Sequence, residues 1–224
     1  IYFKKNVVVM KIKNLYIEEE VLNDRRALKI EKKLKYENKI ICNNYREIFN
    51  PKNQNFRIQK KEPSIILAKK KKNLILNAPE NFSIGLTKNY YFSHMLNCIY
   101  DCNYCFLQGM FNSAHYVIFV NYDDFLQKIE DKISDDTKTC FFSGYDCDSL
   151  ALEGITGFIE YFIEKFIKLS NGILEIRSKS TNIKSIKKFN PSENIIPAFS
   201  LNSPQTIKIH ELDTPKLSNR INAI

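Results

Sequence analysis

The chain has no tryptophan and no uninterrupted apolar run of about 18 residues, the length a membrane-crossing helix needs. Its longest greasy stretch, residues 154–169, is broken by Glu160, Glu164, Lys165 and Lys168, so the sequence predicts no hydrophobic membrane span. It also lacks G-x-S-x-G, a phosphate-cradling Walker loop and H-E-x-x-H, which excludes the serine elbow, the P-loop and the metalloprotease helix. No signal peptide and no secreted-domain cysteine framework stands out. Reduced thiols and a cytoplasmic setting are therefore expected.

The rest of the composition is ordinary for a soluble protein. The chain has 224 residues, 44% apolar and 26% charged. That length suits one large domain or one and a half, and it can bury roughly 70% of the unfolded surface without disulfide staples. The net charge of +9 invites a nucleic-acid partner. The weight of Ile, Asn, Lys, Phe and Tyr also reads as an AT-rich coding style, which inflates lysine whatever the partner. Lys69 to Lys72, with Lys60 and Lys61 nearby, form the densest basic patch; a solvated loop or helix end accounts for it equally well. The chain begins at Ile1 and ends on what reads as an unfinished helix, which predicts a piece of a longer protein.

What stands out is Cys98, Cys102 and Cys105, a C-x3-C-x2-C cluster. Thiolates are soft ligands that select iron–sulfur clusters or zinc. Three of them fall one short of the usual four for a cluster, and an iron without a protein ligand can bind a small molecule. The alternative is a structural zinc site, because His94 lies four residues before Cys98 and could complete a Cys3His shell. Cys42 and Cys140 read as packed thiols, and His115 and His210 as structural or exposed.

Residues 1–85 read as an N-terminal α+β module: short strands at 7–10, 64–67 and 74–76, and a charged helical stretch over 18–36. From 86 to 224 the pattern alternates. Strands are predicted at 90–96, 116–120, 139–142, 173–176 and 195–201, the last interrupted by Pro197. Helices are predicted at 123–133, 152–169, 183–189 and 214–223. Phe125, Ile129 and Ile133 share one face of the first, with Asp123 or Asp124 as its cap. Ile155, Ile159, Phe162, Phe166 and Leu169 share one face of the second. Strand then helix in units of about 20–30 residues argues for a parallel α/β architecture, with chemistry at the carboxyl ends of the strands.

The cysteine spacing, with Tyr104 before the last cysteine, resembles the radical S-adenosylmethionine (SAM) superfamily. Further markers narrow this to a resemblance to the spore photoproduct lyase family, running from about Tyr91 to Ile224. They are Cys-Asn-Tyr-Cys-Phe-Leu-Gln at 102–108, Cys147-Asp-Ser149, Ser178-Lys-Ser180, Phe199-Ser-Leu-Asn-Ser203, Glu211, Thr214 and Arg220. The resemblance implies a partial (β/α)6 barrel, C-terminally truncated, and a [4Fe–4S] cluster on Cys98, Cys102 and Cys105 that binds SAM. It implies reversion of a UV-induced thymine dimer in DNA through a 5′-deoxyadenosyl radical, with an electron donor such as flavodoxin or ferredoxin. Cys147 then matches the family's hydrogen-atom donor, and Ser149, Lys179 and Ser200 match positions that contact SAM. Tyr104 matches one of two tyrosines associated with passing hydrogen between that cysteine and SAM; Phe106 stands where the family has the other. Arg220 stands outside this site: an arginine in a helix could face phosphate or a ribose but is more often solvated.

Overall fold

A computed structural model of the chain describes residues 2–4, 7–134 and 136–224. From the N-terminus run β1 (Tyr2–Lys4), β2 (Val7–Glu18), α1 (Arg25–Glu31), β3 (Leu34–Cys42), α2 (Phe56–Lys61) and β4 (Ile65–Ala68). Next come β5 (Leu76–Asn77), β6 (Lys88–Phe92), β7 (Met95–Leu96), β8 (Asp101–Cys102), α3 (Leu107–Met110) and β9 (Tyr116–Phe119). The remainder holds α4 (Tyr122–Glu130), β10 (Thr139–Ser143), α5 (Glu153–Thr156), α6 (Phe158–Phe166) and β11 (Gly172–Ser178), then β12 (Ile195–Phe199), α7 (Pro204–His210), β13 (Glu211–Leu212) and α8 (Leu217–Ile221).

Two sheets organise these elements. In the first, β2 lies parallel to β3 and β4, β4 parallel to β9, and β7 antiparallel to β9. The side chains of β4 and β9 are all buried, as continuous apolar runs are in a parallel sheet covered on both faces. The second sheet has the order β12-β11-β10-β6-β5, and its first four members are parallel. Strands from either side of residue 85 meet in both sheets. The main core lies against α4 and α6, where Phe92, Phe125, Phe158, Phe162 and Phe166 pack together. The expected parallel α/β architecture is present.

Several expected elements change shape, each for a local reason. The strand expected over 90–96 is two strands in different sheets. The chain turns at Ser93, whose hydroxyl accepts the Asp146 amide at 3.1 Å, and at His94, whose ring stacks on Phe158 at 3.6 Å. The 18–36 stretch restarts at Asp24, whose carboxylate accepts the Arg26 and Ala27 amides at 2.8 and 2.9 Å, so only α1 is α-helical and β3 follows. The 152–169 helix breaks at Gly157, which adopts φ +61°. The buried Glu153 carboxylate then caps α6 by accepting the Ile159 and Glu160 amides at 2.8 and 3.0 Å. Helix α4 starts at Tyr122, so Asp123 and Asp124 stand in its first turn, where their charge suits the helix dipole. The helix expected over 183–189 is a short 3-10 turn, Ile186–Lys188. Pro197 does not interrupt β12: this strand ends the sheet order, where a missing N–H costs little.

Candidate active site

The carboxyl ends of β10, β11 and β12 open on a cavity of about 250 Å³, lined among others by Cys98, Cys102, Cys105, Cys147, Lys179 and Ser200. The three motif cysteines, distant in sequence from the other three residues, therefore share one chamber with them. All six cysteines of the chain are free thiols.

The cysteine loop is held from several directions. Asn97 enters it at φ +68°, a conformation asparagine tolerates. Its side-chain amide donates to the carbonyls of Ser113 and His115 at 2.6 and 2.9 Å. From α2, the Lys60 ammonium donates to the Cys98 carbonyl at 2.6 Å, and Arg57 pairs with Asp101 at 2.9 Å. From the C-terminal side, β13 pairs with β8, placing Glu211 beside Cys102, and the Asn103 amide donates to the His210 carbonyl at 2.8 Å. Burial lowers the pKa of Lys60; it raises that of Cys98 and pushes the Cys102 thiol up to about 11. Metal binding would have to displace those protons.

Cys147 is delivered by a tight turn after β10. Gly144 has φ +77°, and a Cβ there would meet the Ser149 hydroxyl and lie 3.0 Å from the Ser149 amide nitrogen and 3.1 Å from the Cys147 carbonyl. Glycine is the residue that fits. Ser149, expected to touch the cofactor, is buried below this turn, its hydroxyl 2.8 Å from that of Ser143; it does not line the cavity. Asp148 does line it, and ties the turn to β11 by accepting from the Ser178 hydroxyl at 2.6 Å and the Lys179 amide at 2.7 Å. Burial raises the Asp148 carboxyl above its ordinary value despite these bonds. Burial also pushes the Cys147 thiol well above its ordinary value, the charges of Cys98, Asp146 and Asp148 adding to the effect.

His94 does not turn toward the motif cysteines. Its ring is stacked on Phe158, and Nδ1 lies 3.9 Å from the Cys147 sulfur. Burial holds its pKa down to about 3. The Cys3His zinc shell is thus not assembled. Among the described residues no three His, Cys, Asp or Glu converge on one metal position. Three cysteines lining one chamber are the kind of donor set an iron–sulfur cluster takes.

Tyr104 lies beside the cavity rather than in its lining, with the Lys179 ammonium 5.7 Å from its ring centroid. Its hydroxyl donates to Glu211, which also accepts from Asn202 at 2.6 Å and from Arg220 at 2.5 Å. Arg220 is fully buried. It donates as well to the carbonyls of Ser200 and Pro215 at 3.0 and 2.9 Å and to the Thr214 hydroxyl at 2.7 Å. It is neither solvated nor free to face phosphate; it braces the strand end that carries Ser200. Sequence reasoning missed this role, and missed Lys60 and Asp148. Glu211 and Arg220 stood out only as markers of a resemblance, and nothing local to Lys60 signals its bond to a residue 38 positions away. The basic run also divides: Lys69 and Lys71 pair with Glu20 at 3.6 and 2.5 Å, while the Lys70 ammonium lies 5.4 Å from the Phe119 ring centroid.

A chamber lined by a C-x3-C-x2-C loop at the carboxyl end of a parallel sheet defines a protein of the radical SAM class. The family profile described as Spore photoproduct lyase matches residues 13–224, so the match extends well upstream of residue 91, the start of the resemblance carried by the motifs. The chain therefore belongs to the spore photoproduct lyase family. A spore photoproduct lyase of Clostridium acetobutylicum is 29% identical over 136 residues, 59% of this chain and 40% of that protein. Among solved structures, a mutant spore photoproduct lyase with bound AdoMet and dinucleoside spore photoproduct aligns with TM-score 0.77 at 18% identity. A spore photoproduct lyase complexed with the dinucleoside spore photoproduct aligns with TM-score 0.75 at 20% identity. Each solved structure matches 98% of this chain, whereas the chain covers 64% of their length.

Proposed function

We propose that this chain is the catalytic part of a radical SAM lyase that reverts a UV-induced thymine dimer in DNA. The observation that carries the reading is the shared chamber of Cys98, Cys102, Cys105, Cys147 and Lys179, supported by membership of the family. A [4Fe–4S] cluster with SAM, when bound, supplies a 5′-deoxyadenosyl radical that takes a hydrogen atom from carbon. Cys98, Cys102 and Cys105 would hold the cluster. Lys179 brings a cation to the same chamber for the cofactor's carboxylate, with Ser200 beside it on the next strand end.

Cys147 is the hydrogen-atom donor in this reading. Burial keeps it a thiol, so an S–H is present to give. Its hydrogen atom passes to the carbon radical of the fragmented dimer, forming C–H and leaving a sulfur radical. In this reading the Tyr104 O–H, which rests on Glu211, would give its hydrogen atom to that sulfur, and the tyrosyl radical left behind would be refilled from the methyl group of the 5′-deoxyadenosine formed at the first abstraction; Phe106, with no O–H, cannot take this role. Ser149 acts indirectly, by seating the Gly144 turn. The remaining partners are a one-electron donor of the flavodoxin or ferredoxin type and duplex DNA, from which a lesion is extruded at a cost of a few kcal/mol. The cytoplasm, where thiols stay reduced, is the fitting compartment.

The test is electron paramagnetic resonance on anaerobically reconstituted, dithionite-reduced protein with and without SAM, followed by thymine release from irradiated DNA. A [4Fe–4S]+ signal that changes with SAM, and thymine release lost in Cys147→Ala while SAM cleavage persists, are expected. Protein carrying about one zinc per chain and no iron would refute the radical mechanism. SAM cleavage without thymine release would move the substrate to another nucleotide or small molecule.

A further inference from the structure

Phe82, Phe106, Tyr145 and Arg177 also line the chamber, and the proposed reaction gives them no task. They come from separate places: Phe82 from the loop between β5 and β6, Phe106 from the cysteine loop, Tyr145 from the turn after β10, and Arg177 from the end of β11. The Tyr145 ring centroid lies 6.0 Å from that of Phe82, their planes 87° apart, and 5.6 Å from that of Phe106. The Arg177 guanidinium carbon sits 4.9 Å from the Phe82 ring centroid.

This group is anchored. Phe82 packs edge-on against Phe142 at 4.7 Å, and Tyr145 lies with one face toward Tyr91, their centroids 4.2 Å and their planes 30° apart. Arg177 is oriented by its Nε, which donates to the buried Glu175 carboxylate at 2.8 Å. Among the described residues, no side chain or carbonyl accepts from its two terminal nitrogens. A planar cation laid near a ring keeps its rim donors available. Aromatic faces with such donors beside them fit a flat, acceptor-bearing heterocycle. An aliphatic chain would use the rings but not the donors.

We infer that Phe82, Tyr145 and Arg177 form a shelf with a perpendicular wall for a nucleobase, one ring stacking on the base and the other meeting its edge, with the guanidinium reaching the ring's carbonyl or nitrogen acceptors or the adjoining phosphate. This deepens the proposed function and rests on it, because it names what the occupant of the chamber presents. The shared chemistry is a nucleobase, which the nucleic-acid substrate or the adenosyl group of the cofactor could provide.

The test measures binding without turnover on the cluster-loaded chain. A dinucleotide carrying fluorescent 2-aminopurine is titrated in, and unlabelled thymidylyl-thymidine and S-adenosylhomocysteine are used as separate competitors. The chain has no tryptophan to obscure the probe. Tyr145→Leu and Phe82→Leu should both weaken affinity, the ring that stacks by about tenfold, the usual scale of one lost base–aromatic stack, and the ring that meets the base edge by less. Arg177→Gln, on a half-exposed side chain, should weaken it with iron content and circular dichroism unchanged. If only the dinucleotides weaken, the shelf takes the substrate's base; if only S-adenosylhomocysteine weakens, it takes the cofactor's adenine. All three variants binding both competitors as tightly as the parent would overturn the shelf, as would a parent that binds neither, while a SAM-responsive cluster signal would leave the proposed function standing.

Discussion

Replacing Arg220 by methionine removes one partner of a buried ion pair and keeps the bulk of the side chain. Neither Arg220 nor Glu211 exposes any side-chain surface. The change strips donors from the Ser200 and Pro215 carbonyls, the Thr214 hydroxyl and Glu211. It leaves the Glu211 carboxylate buried with only Tyr104 and Asn202 beside it. Breaking a buried pair in this way costs about 3–5 kcal/mol. For a chain of this size each kcal/mol lowers Tm by roughly 2–4 °C, so Tm should fall by about 6–20 °C. The pH dependence sharpens the prediction. Burial pushes the Glu211 carboxyl upward, but the hydrogen bonds from Tyr104, Asn202 and Arg220 and the charge of Arg220 outweigh it and hold the pKa below its ordinary value. A depressed acid stabilises the fold above its unfolded pKa, near 4.5, and loses that contribution as pH falls through the folded value. The cost of Arg220→Met, measured by urea denaturation followed by circular dichroism, should therefore be largest at pH 7 and shrink toward pH 4. Adding Glu211→Gln should recover at least about 1 kcal/mol relative to the sum of the single changes. A loss below about 1 kcal/mol, or one equal at both pH values, would refute the view that this pair braces the site.

Gly144→Ala should cost at least about 2 kcal/mol in the same denaturation experiment, from a left-handed backbone and the clash with Ser149 and Cys147 together; a neutral result would mean the turn is not tight. His94 stays neutral in the fold to about pH 3, while the unfolded chain takes up a proton near 6.5, so acid draws the equilibrium toward unfolding. His94→Leu should remove about 2 kcal/mol of the stability lost between pH 7 and pH 5, and an unchanged pH slope would contradict this. Glu153→Leu leaves the α6 amides and the Ser185 hydroxyl without their acceptor and should cost about 2 kcal/mol; if Tm does not move, the cap is dispensable. Cys98→Ala should abolish the iron–sulfur absorbance after reconstitution, and an undiminished spectrum would remove Cys98 from the ligand set.

The local pattern was enough for the elements whose own side chains decide them. Short runs rich in Ile, Leu, Phe and Cys marked β10 and β11, and the 3.6-residue stripe marked the buried face of α6, because side chains of these types at these spacings suit a strand and a helix. The breaks were not legible. Gly157 lies inside an unbroken amphipathic pattern, and only the Glu153 carboxylate, folded back onto the next two amides, makes a second helix start there. Helix α7, absent from the predicted helices, begins at Pro204 with the Ser203 hydroxyl accepting the Thr206 amide at 3.1 Å.

For the site, the sequence by itself determined which reactive groups are available: three thiols at fixed spacing, a fourth at Cys147, and a tyrosine at 104 with phenylalanine at 106. Such facts are carried by residue identity, which folding does not alter. Only the tertiary structure decided which residues meet. It sent His94 to Phe158, put Ser149 under a turn, and buried Arg220 as a brace. It also brought Lys60 to the Cys98 carbonyl and gathered Phe82, Tyr145 and Arg177 around one chamber. Those placements depend on pairings between distant segments, such as β8 with β13 and β6 with β10, whose register follows from packing of the whole sheet rather than from any short stretch of chain.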